Sequence, residues 1–185
     1  MQATLSKLIT ADEFILMPEP EDGSKEELVK GVVETVPPPG FEHGECQAAV
    51  AALIYIHVKS NRIGRVVTES GVRTEEDPDT VRGPDVSYWS AERLPLNQRV
   101  QGYPEIAPDL CVEVVTKHTS RKKLRAKADE YLFAGVRMIW IVDPEERTVE
   151  IVRNPEESRT LSEKATLTGE DVLPGFECKV AELFG

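Results

Sequence analysis

The alternation of apolar and polar positions divides the chain into short strands and two substantial helices. Thr10, three residues before Glu13, predicts a capping box opening a short helix that carries Phe14, Ile15 and Met17. Leu28 to Val36, interrupted at Lys30-Gly31, predicts a β-hairpin. From Gly44 to Lys59, residues Ala48, Ala49, Ala52, Leu53 and Ile56 recur at helical spacing, which predicts the long helix of the molecule, ending near Asn61 and Gly64. Gly64 to Arg73 alternates as a strand, and Pro84 to Trp89 and Asp109 to Thr116 predict two more. A helix from about Thr119 to Ala134, closed by Gly135, comes next. Met138-Ile139-Trp140-Ile141-Val142 is nearly all apolar, as a strand covered on both faces must be, and Asp143-Pro144-Glu145-Glu146 turns into an alternating partner, Thr148 to Arg153. Residues 18–25, 37–40, 75–81 and 91–105 read as loops.

Helix, three strands, helix and strand, with antiparallel additions at both ends, predict an α/β (α+β) fold: a central mixed β-sheet flanked by helices, with added hairpins. A length of 185 residues suits one domain, 1–185 with a core over about 26–155, large enough to bury a hydrophobic interior. With 40% hydrophobic and 30% charged residues, the chain has a globular balance. Cys46, Cys111 and Cys178 have neither zinc-ribbon nor disulfide-framework spacing, which predicts a reducing, cytoplasmic location. No apolar run approaches membrane-spanning length, and the N-terminus lacks the pattern of a secretory signal, so no membrane partner is expected.

Charge narrows the list of partners. The net charge of −11, from 33 acidic and 22 basic residues, argues against tight nonspecific binding to nucleic acid, whose affinity comes largely from Lys and Arg. It leaves room for a site where a divalent cation reverses the local field.

Two carboxylates stand out. Asp85 follows Pro84 at a strand start, and Glu113 lies within the apolar run Leu110-Cys111-Val112-Glu113-Val114-Val115. A carboxylate buried there needs a cation, a proton or good hydrogen bonds. If the two strands are neighbours, both can converge on one Mg²⁺, a hard ion that takes oxygen ligands, in an arrangement suited to phosphate-ester hydrolysis. Alternation puts residue 115 on the face of Glu113, where a glutamate-x-lysine pair would carry its lysine, but that residue is Val115. Lys127 shares a helix face with Leu124 and Tyr131 and can reach the site from there instead.

Ordinary roles stand beside these. Asp85 can be a turn or capping residue, Glu113 can form a buried salt bridge with Lys127, and Lys127 can run past Tyr131 to water. His43, His57 and His118 share no metal-ligand spacing, and His43 reads as part of the helix start. The basic run 121–127 suits a nucleic-acid backbone or a solvated helix face, and Trp89 and Trp140 read as core.

In order along the chain, Glu27-Leu28-Val29-Lys30-Gly31, His43-Gly44, Pro84-Asp85-Val86, 108–114 (PDLCVEV), Lys127, Tyr131, Gly135-Val136, 140–144 (WIVDP), 171–176 (DVLPGF) and Leu183-Phe184 resemble the Uma2-type restriction endonuclease family, a branch of the PD-(D/E)XK nuclease superfamily. The resemblance covers nearly the whole chain. It implies a restriction endonuclease-like core in which Asp85, Glu113 and the Val114 carbonyl bind Mg²⁺, or Mn²⁺, and in which Lys127 replaces the displaced lysine. Glu27 and Thr116 would support the site, and Lys117, His118 and Arg121 would meet nucleic acid. The chain departs from the family pattern at 115–118 (VTKH), where Leu-Ser-Pro-Ser is more typical, and at Lys123, where Asp is frequent. The expected function is Mg²⁺-dependent endonucleolytic cleavage of DNA by a homodimer. The alternative is a catalytically silent nucleic-acid- or protein-binding module that keeps the fold, and a regulatory homodimer pairing through terminal hairpins is a third reading.

Overall fold

The computed structural model describes residues 7–22, 24–117 and 119–185. In chain order these form α1 (Ala11–Phe14), β1 (Lys25–Val29), β2 (Val32–Val36), α2 (Phe41–Asn61), β3 (Gly64–Thr68), β4 (Val72–Glu75), β5 (Thr80–Arg82), β6 (Val86–Ser90), β7 (Leu110–Val114) and α3 (Arg121–Phe133). They continue as β8 (Met138–Asp143), β9 (Thr148–Asn154), β10 (Glu157–Ser162), β11 (Thr166–Thr168), β12 (Glu177–Lys179) and a 3₁₀ turn, Val180–Leu183. The central sheet is six-stranded, in the order β10-β9-β8-β7-β6-β3, and it is mixed because β7 and β8 run parallel, joined through α3. A second sheet, β2-β1-β5-β4, packs beside it, and β11 and β12 form a small ribbon.

The two helices cover opposite faces of the central sheet, and the two-residue period of β7 sorts its side chains between them. Val112 and Val114 join the α2 residues Cys46, Val50, Ile54 and Val58 in one core cluster, with Tyr88, Trp140 and Val142. Cys111 joins Leu124, Ala128 and Tyr131 of α3 in the other, with Trp89, Ile139 and Ile141. Glu113 therefore points at α3. Trp89 and Trp140 are core residues, 2% and 0% exposed.

Several elements differ from the expectation. The predicted strand 64–73 is two strands in two sheets, broken where Glu69 adopts φ +58°. The predicted loop 75–81 contains a hairpin turn, and its outgoing strand β5 pairs with β1 through Leu28 and Val81. Polar residues made these short strands look like turns. The long helix begins at Phe41, so His43 lies inside its first turn, and Arg62 ends it in the left-handed conformation (φ 54°) usually filled by Gly. Thr10 and Glu13 form the expected reciprocal cap, but the helix is only four residues long and Ile15 and Met17 lie beyond it, 40% and 37% exposed.

Gly64 is required where β3 meets β6, because a Cβ there would lie 2.1 Å from the Trp89 carbonyl oxygen. The obstacle is backbone and cannot rotate away. Gly64→Ala is expected to cost about 1–3 kcal/mol in urea unfolding, the usual range for overpacking. An unchanged midpoint would mean that β3 shifts freely along its neighbour.

Candidate functional site

Asp85 immediately precedes β6, and Glu113 is the fourth residue of β7. The two strands pair antiparallel through Val86 and Val112, so one further step of the same register sets Asp85 opposite Glu113. Both are buried, at 4% and 8% exposure. Asp85 and Glu113 therefore stand opposite one another on neighbouring chain segments.

Each is held by a different layer of the molecule. Asp85 Oδ2 accepts the Val114 backbone N–H at 2.6 Å and lies 3.2 Å from His43 Nε2 on α2. Its Oδ1 lies 3.1 Å from the Lys25 ammonium, which reaches across from β1. Gln47, one turn after His43, donates to the Asp85 carbonyl at 3.0 Å. His43 Nδ1 is buried without a partner, so Nε2 is the ring nitrogen that serves Asp85.

Glu113 is held from α3. Tyr131 donates its hydroxyl to Oε1 at 2.7 Å, and the Lys127 ammonium lies 3.0 Å from Oε1 and 3.1 Å from Oε2. Lys127 also pairs with Glu27 at 2.9 Å. Glu27 in turn accepts the Gly83 N–H at 3.1 Å and the Arg82 guanidinium at 2.9 Å, and Arg82 clamps Glu130 on α3. Lys127 is thus one turn from Tyr131 on the face that meets the sheet, as the spacing predicts. The ion pair with Glu113 weighed as its ordinary role is also present. Lys127 does not run out to bulk water.

The electrostatics separate the two acids. Burial and the negative charge of Asp85 push Glu113 up to about 7, against the pull of Lys127 and the Tyr131 hydroxyl. Burial also works against the Asp85 anion, but His43, Lys25 and the Val114 N–H outweigh it and hold that carboxyl below its ordinary value. Glu27 is held low in the same way, burial being outweighed by Lys127, Gly83 and Arg82. Burial pulls Lys127 down, yet Glu113 and Glu27 together hold it above the usual lysine range, so it stays charged.

Other expected site residues fall elsewhere. Thr116 bonds Thr119 at 2.6 Å and shapes the turn before α3, so its expected supporting role at the carboxylates is corrected to a role in that turn. Lys117 is exposed, 3.7 Å from Glu42, and Arg121 is exposed at the start of α3. His118 lies outside the described residues. Lys25, His43, Gln47, Glu69, Arg82, Glu130 and Tyr131 were not expected at the site; the sequence signals were the family-like positions His43 and Tyr131 and the i, i+4 pairs His43/Gln47 and Lys127/Tyr131. A second Pro-Asp step, 108–109, puts another buried acid at the opposite end of β7, but Asp109 is saturated by the Ser90 N–H at 2.7 Å and by Arg93 and Arg137, each at 3.2 Å. It is a structural clamp.

Among the described residues no three His, Cys, Asp or Glu side chains gather as a ready-made metal cage. The oxygen donors fit a hard ion that keeps water and takes only one or two carboxylates, and they do not suit zinc. An open groove of about 660 Å³ bounded by Tyr55, Lys59, Arg62, Arg65 and Leu96 shares no residue with this cluster and contains no acid. The paired carboxylates are the better candidate because they carry the chemistry.

The raised Glu113 predicts a pH effect. Between about 4.5 and 7 the folded protein keeps a proton on Glu113 that the unfolded chain has released, so stability falls as pH rises through that window. Asp85 and Glu27, held low, act the other way: their contribution is present above the ordinary carboxylate range and is lost only in acid. In chelator, the urea midpoint of the wild type is expected to fall between pH 5 and pH 7.5, and Glu113→Gln to flatten that slope. An equally steep slope in the variant would assign it to another group.

No curated protein matches the chain. Among solved structures it resembles a crystal structure at 1.96 Å described as a "putative nuclease belonging to DUF820" from Anabaena variabilis ATCC 29413, with 28% identity, a TM-score of 0.80, and coverage of 95% of this chain and 97% of that one. The restriction endonuclease-like fold expected from the sequence agrees with this likeness. The Uma2 model, described as "Putative restriction endonuclease", matches residues 11–181, and the chain belongs to that family.

Proposed function

We propose that this protein is a Mg²⁺-dependent endonuclease that hydrolyses phosphodiester bonds of DNA, with Mn²⁺ able to replace Mg²⁺. The observation that carries the reading is the pair Asp85 and Glu113, buried side by side, with the second carboxyl raised to about 7 in part by the charge of the first. Such a pair favours a cation between its members. Asp85, Glu113 and the Val114 carbonyl would hold the ion. When bound, the ion supplies charge against the reacting phosphate and makes an attacking water easier to deprotonate.

Lys127 performs the second part of the chemistry. Its ammonium is oriented by Glu27 and Glu113 and stays charged, so it can stabilise negative charge growing on the phosphate or orient the water. The helix that carries it opens with Arg121, Lys122 and Lys123, all exposed and without an ion pair among the described residues, and its first turn contains no acid. Together with Lys117 they offer the cationic surface a phosphate backbone needs, despite the net charge of −11. A homodimer would match the two-fold symmetry of duplex DNA.

One observation favours the second reading, a silent binding module: Lys25 and Lys127 already pair with both carboxylates, so neither acid is left without a cation when no metal is bound. Titration with Mg²⁺ or Mn²⁺ separates the two. The nuclease reading expects heat of binding in the wild type and none in Asp85→Ala or Glu113→Ala, whereas a wild type that binds neither ion leaves only the module.

Lys127→Met, which keeps the aliphatic stem packed, is expected to lower plasmid cleavage at least about 100-fold, the scale of losing one charge-stabilising donor, while metal affinity is kept. Cleavage at wild-type rate would remove Lys127 from the mechanism.

A further inference from the structure

Lys25 has no part in the chemistry proposed above, yet it is built into the site more firmly than a surface lysine. It comes from β1 of the second sheet and reaches the carboxylate that starts β6 of the first. Its ammonium sits between Asp85 Oδ1, at 3.1 Å, and the carboxylate of Glu69, with which it forms a close ion pair.

Glu69 is itself held in place. It lies just past the end of β3 in a left-handed conformation (φ 58°), which turns the chain out of the central sheet towards β4. The Gln47 amide donates to Glu69 Oε1 at 2.5 Å and to the Asp85 carbonyl at 3.0 Å, so one α2 side chain sets the spacing of the two acids. Asp85, Gln47, Glu69 and Lys25 thus close a ring, with His43 bound to Asp85 outside it, and Lys25 carries the permanent positive charge. Burial opposes that charge, but Asp85 and Glu69 outweigh it and hold the ammonium above its ordinary value.

Counting lone pairs limits what else can bind. An ionised carboxylate offers about four acceptor positions. Oδ2 of Asp85 spends two on the Val114 N–H and His43, and Oδ1 spends one on Lys25. One position remains, on the oxygen that also faces Lys25. A single cation can therefore join Asp85 and Glu113 while Lys25 stays, and a second cation shared by Asp85 and Glu69 would have to take the place of the ammonium.

We propose that Lys25 is the resident cation of this centre: its ammonium fills the position of a second divalent ion between Asp85 and Glu69 and restricts the site to one metal. The proposal rests on the metal-binding reading of Asp85 and Glu113. It makes Lys25 a positioning residue that sets metal stoichiometry.

The test counts Mn²⁺ ions per chain by calorimetry and looks for a spin-coupled Mn²⁺ pair by electron paramagnetic resonance, with folding followed by circular dichroism. The wild type and Lys25→Arg are expected to bind one ion with an uncoupled signal. Lys25→Met is expected to bind two and show the coupled signal, and the double variant Lys25→Met/Glu69→Gln to return to one. Two ions in the wild type, or one in a folded Lys25→Met, would overturn the proposal. Lys25→Gln replaces the Met variant if that chain does not fold. No ion in any variant would instead sink the metal reading itself, so the two failures are distinguishable.

Discussion

The structure turns on the cost of placing a carboxylate in the middle of a strand that is buried along its whole length. Every residue of β7 is inside, and Glu113 is the only one with a charge to lose. An unpaired anion there would cost several kcal/mol, and pairing it in a low-dielectric interior recovers that cost only with good geometry. Lys127 and Tyr131 provide the geometry from α3. The compensation is incomplete: burial, with the negative charge of Asp85 added to it, outweighs Lys127 and Tyr131 and pushes the carboxyl up to about 7. A merely structural acid would be better satisfied, as Asp109 is at the other end of the same strand with a backbone N–H and two arginines. Two buried acids at opposite ends of one strand thus have different surroundings: a second carboxylate and one lysine face Glu113, whereas a backbone N–H and two arginines face Asp109.

The architecture makes this possible by bringing three layers to one point. The α2 face supplies His43 and Gln47 to Asp85, and the α3 face supplies Lys127 and Tyr131 to Glu113. The second sheet enters from the side with Lys25 and Glu27 on β1 and Arg82 on β5. The parallel β7-α3-β8 connection fixes the register of Lys127 against Glu113, since the strand and the helix that carry them belong to one continuous unit. The lysine displaced from position 115 has only to lie on the correct helix face, one turn before Tyr131. Glu27, itself held by Arg82, then secures its ammonium from the opposite side, and Arg82 ties the second sheet to α3 through Glu130.

What could be read from the chain beforehand follows from range. The reciprocal cap of Thr10 and Glu13, the apolar run at 138–142 and the two long helices are local patterns, and each is present, with the start of α2 three residues earlier than its spacing predicts. The same holds for Asp85 and Glu113, each conspicuous in its own segment. The break at Glu69 was not legible, because a non-glycine residue with positive φ gives no local signal, and neither was the division of 64–73 between two sheets. Lys25, Glu69 and Arg82 sit in polar stretches that resemble solvated turns. Their partners lie 60, 44 and 48 or more positions from Lys25, Lys25 and Arg82 respectively, far beyond any periodicity.

A net charge of −11 counts against tight nonspecific hold on nucleic acid over the molecule as a whole, and cations free to meet a phosphate stand together at one place on it. Asp85, Glu113, Glu27, Glu69, Glu130 and Asp109 are all tied to cations of the chain itself, and Asp171, Glu170, Glu163 and Glu150 pair with arginines around the sheet. Arg121, Lys122 and Lys123 stay unpaired among the described residues and share the first turn of the helix that presents Lys127. The total therefore describes the molecule poorly at the length scale that matters, since screening at physiological salt confines each charge to about 8 Å. A phosphate backbone approaching α3 would meet cations first, and the buried acids only at the centre where an ion is proposed to sit.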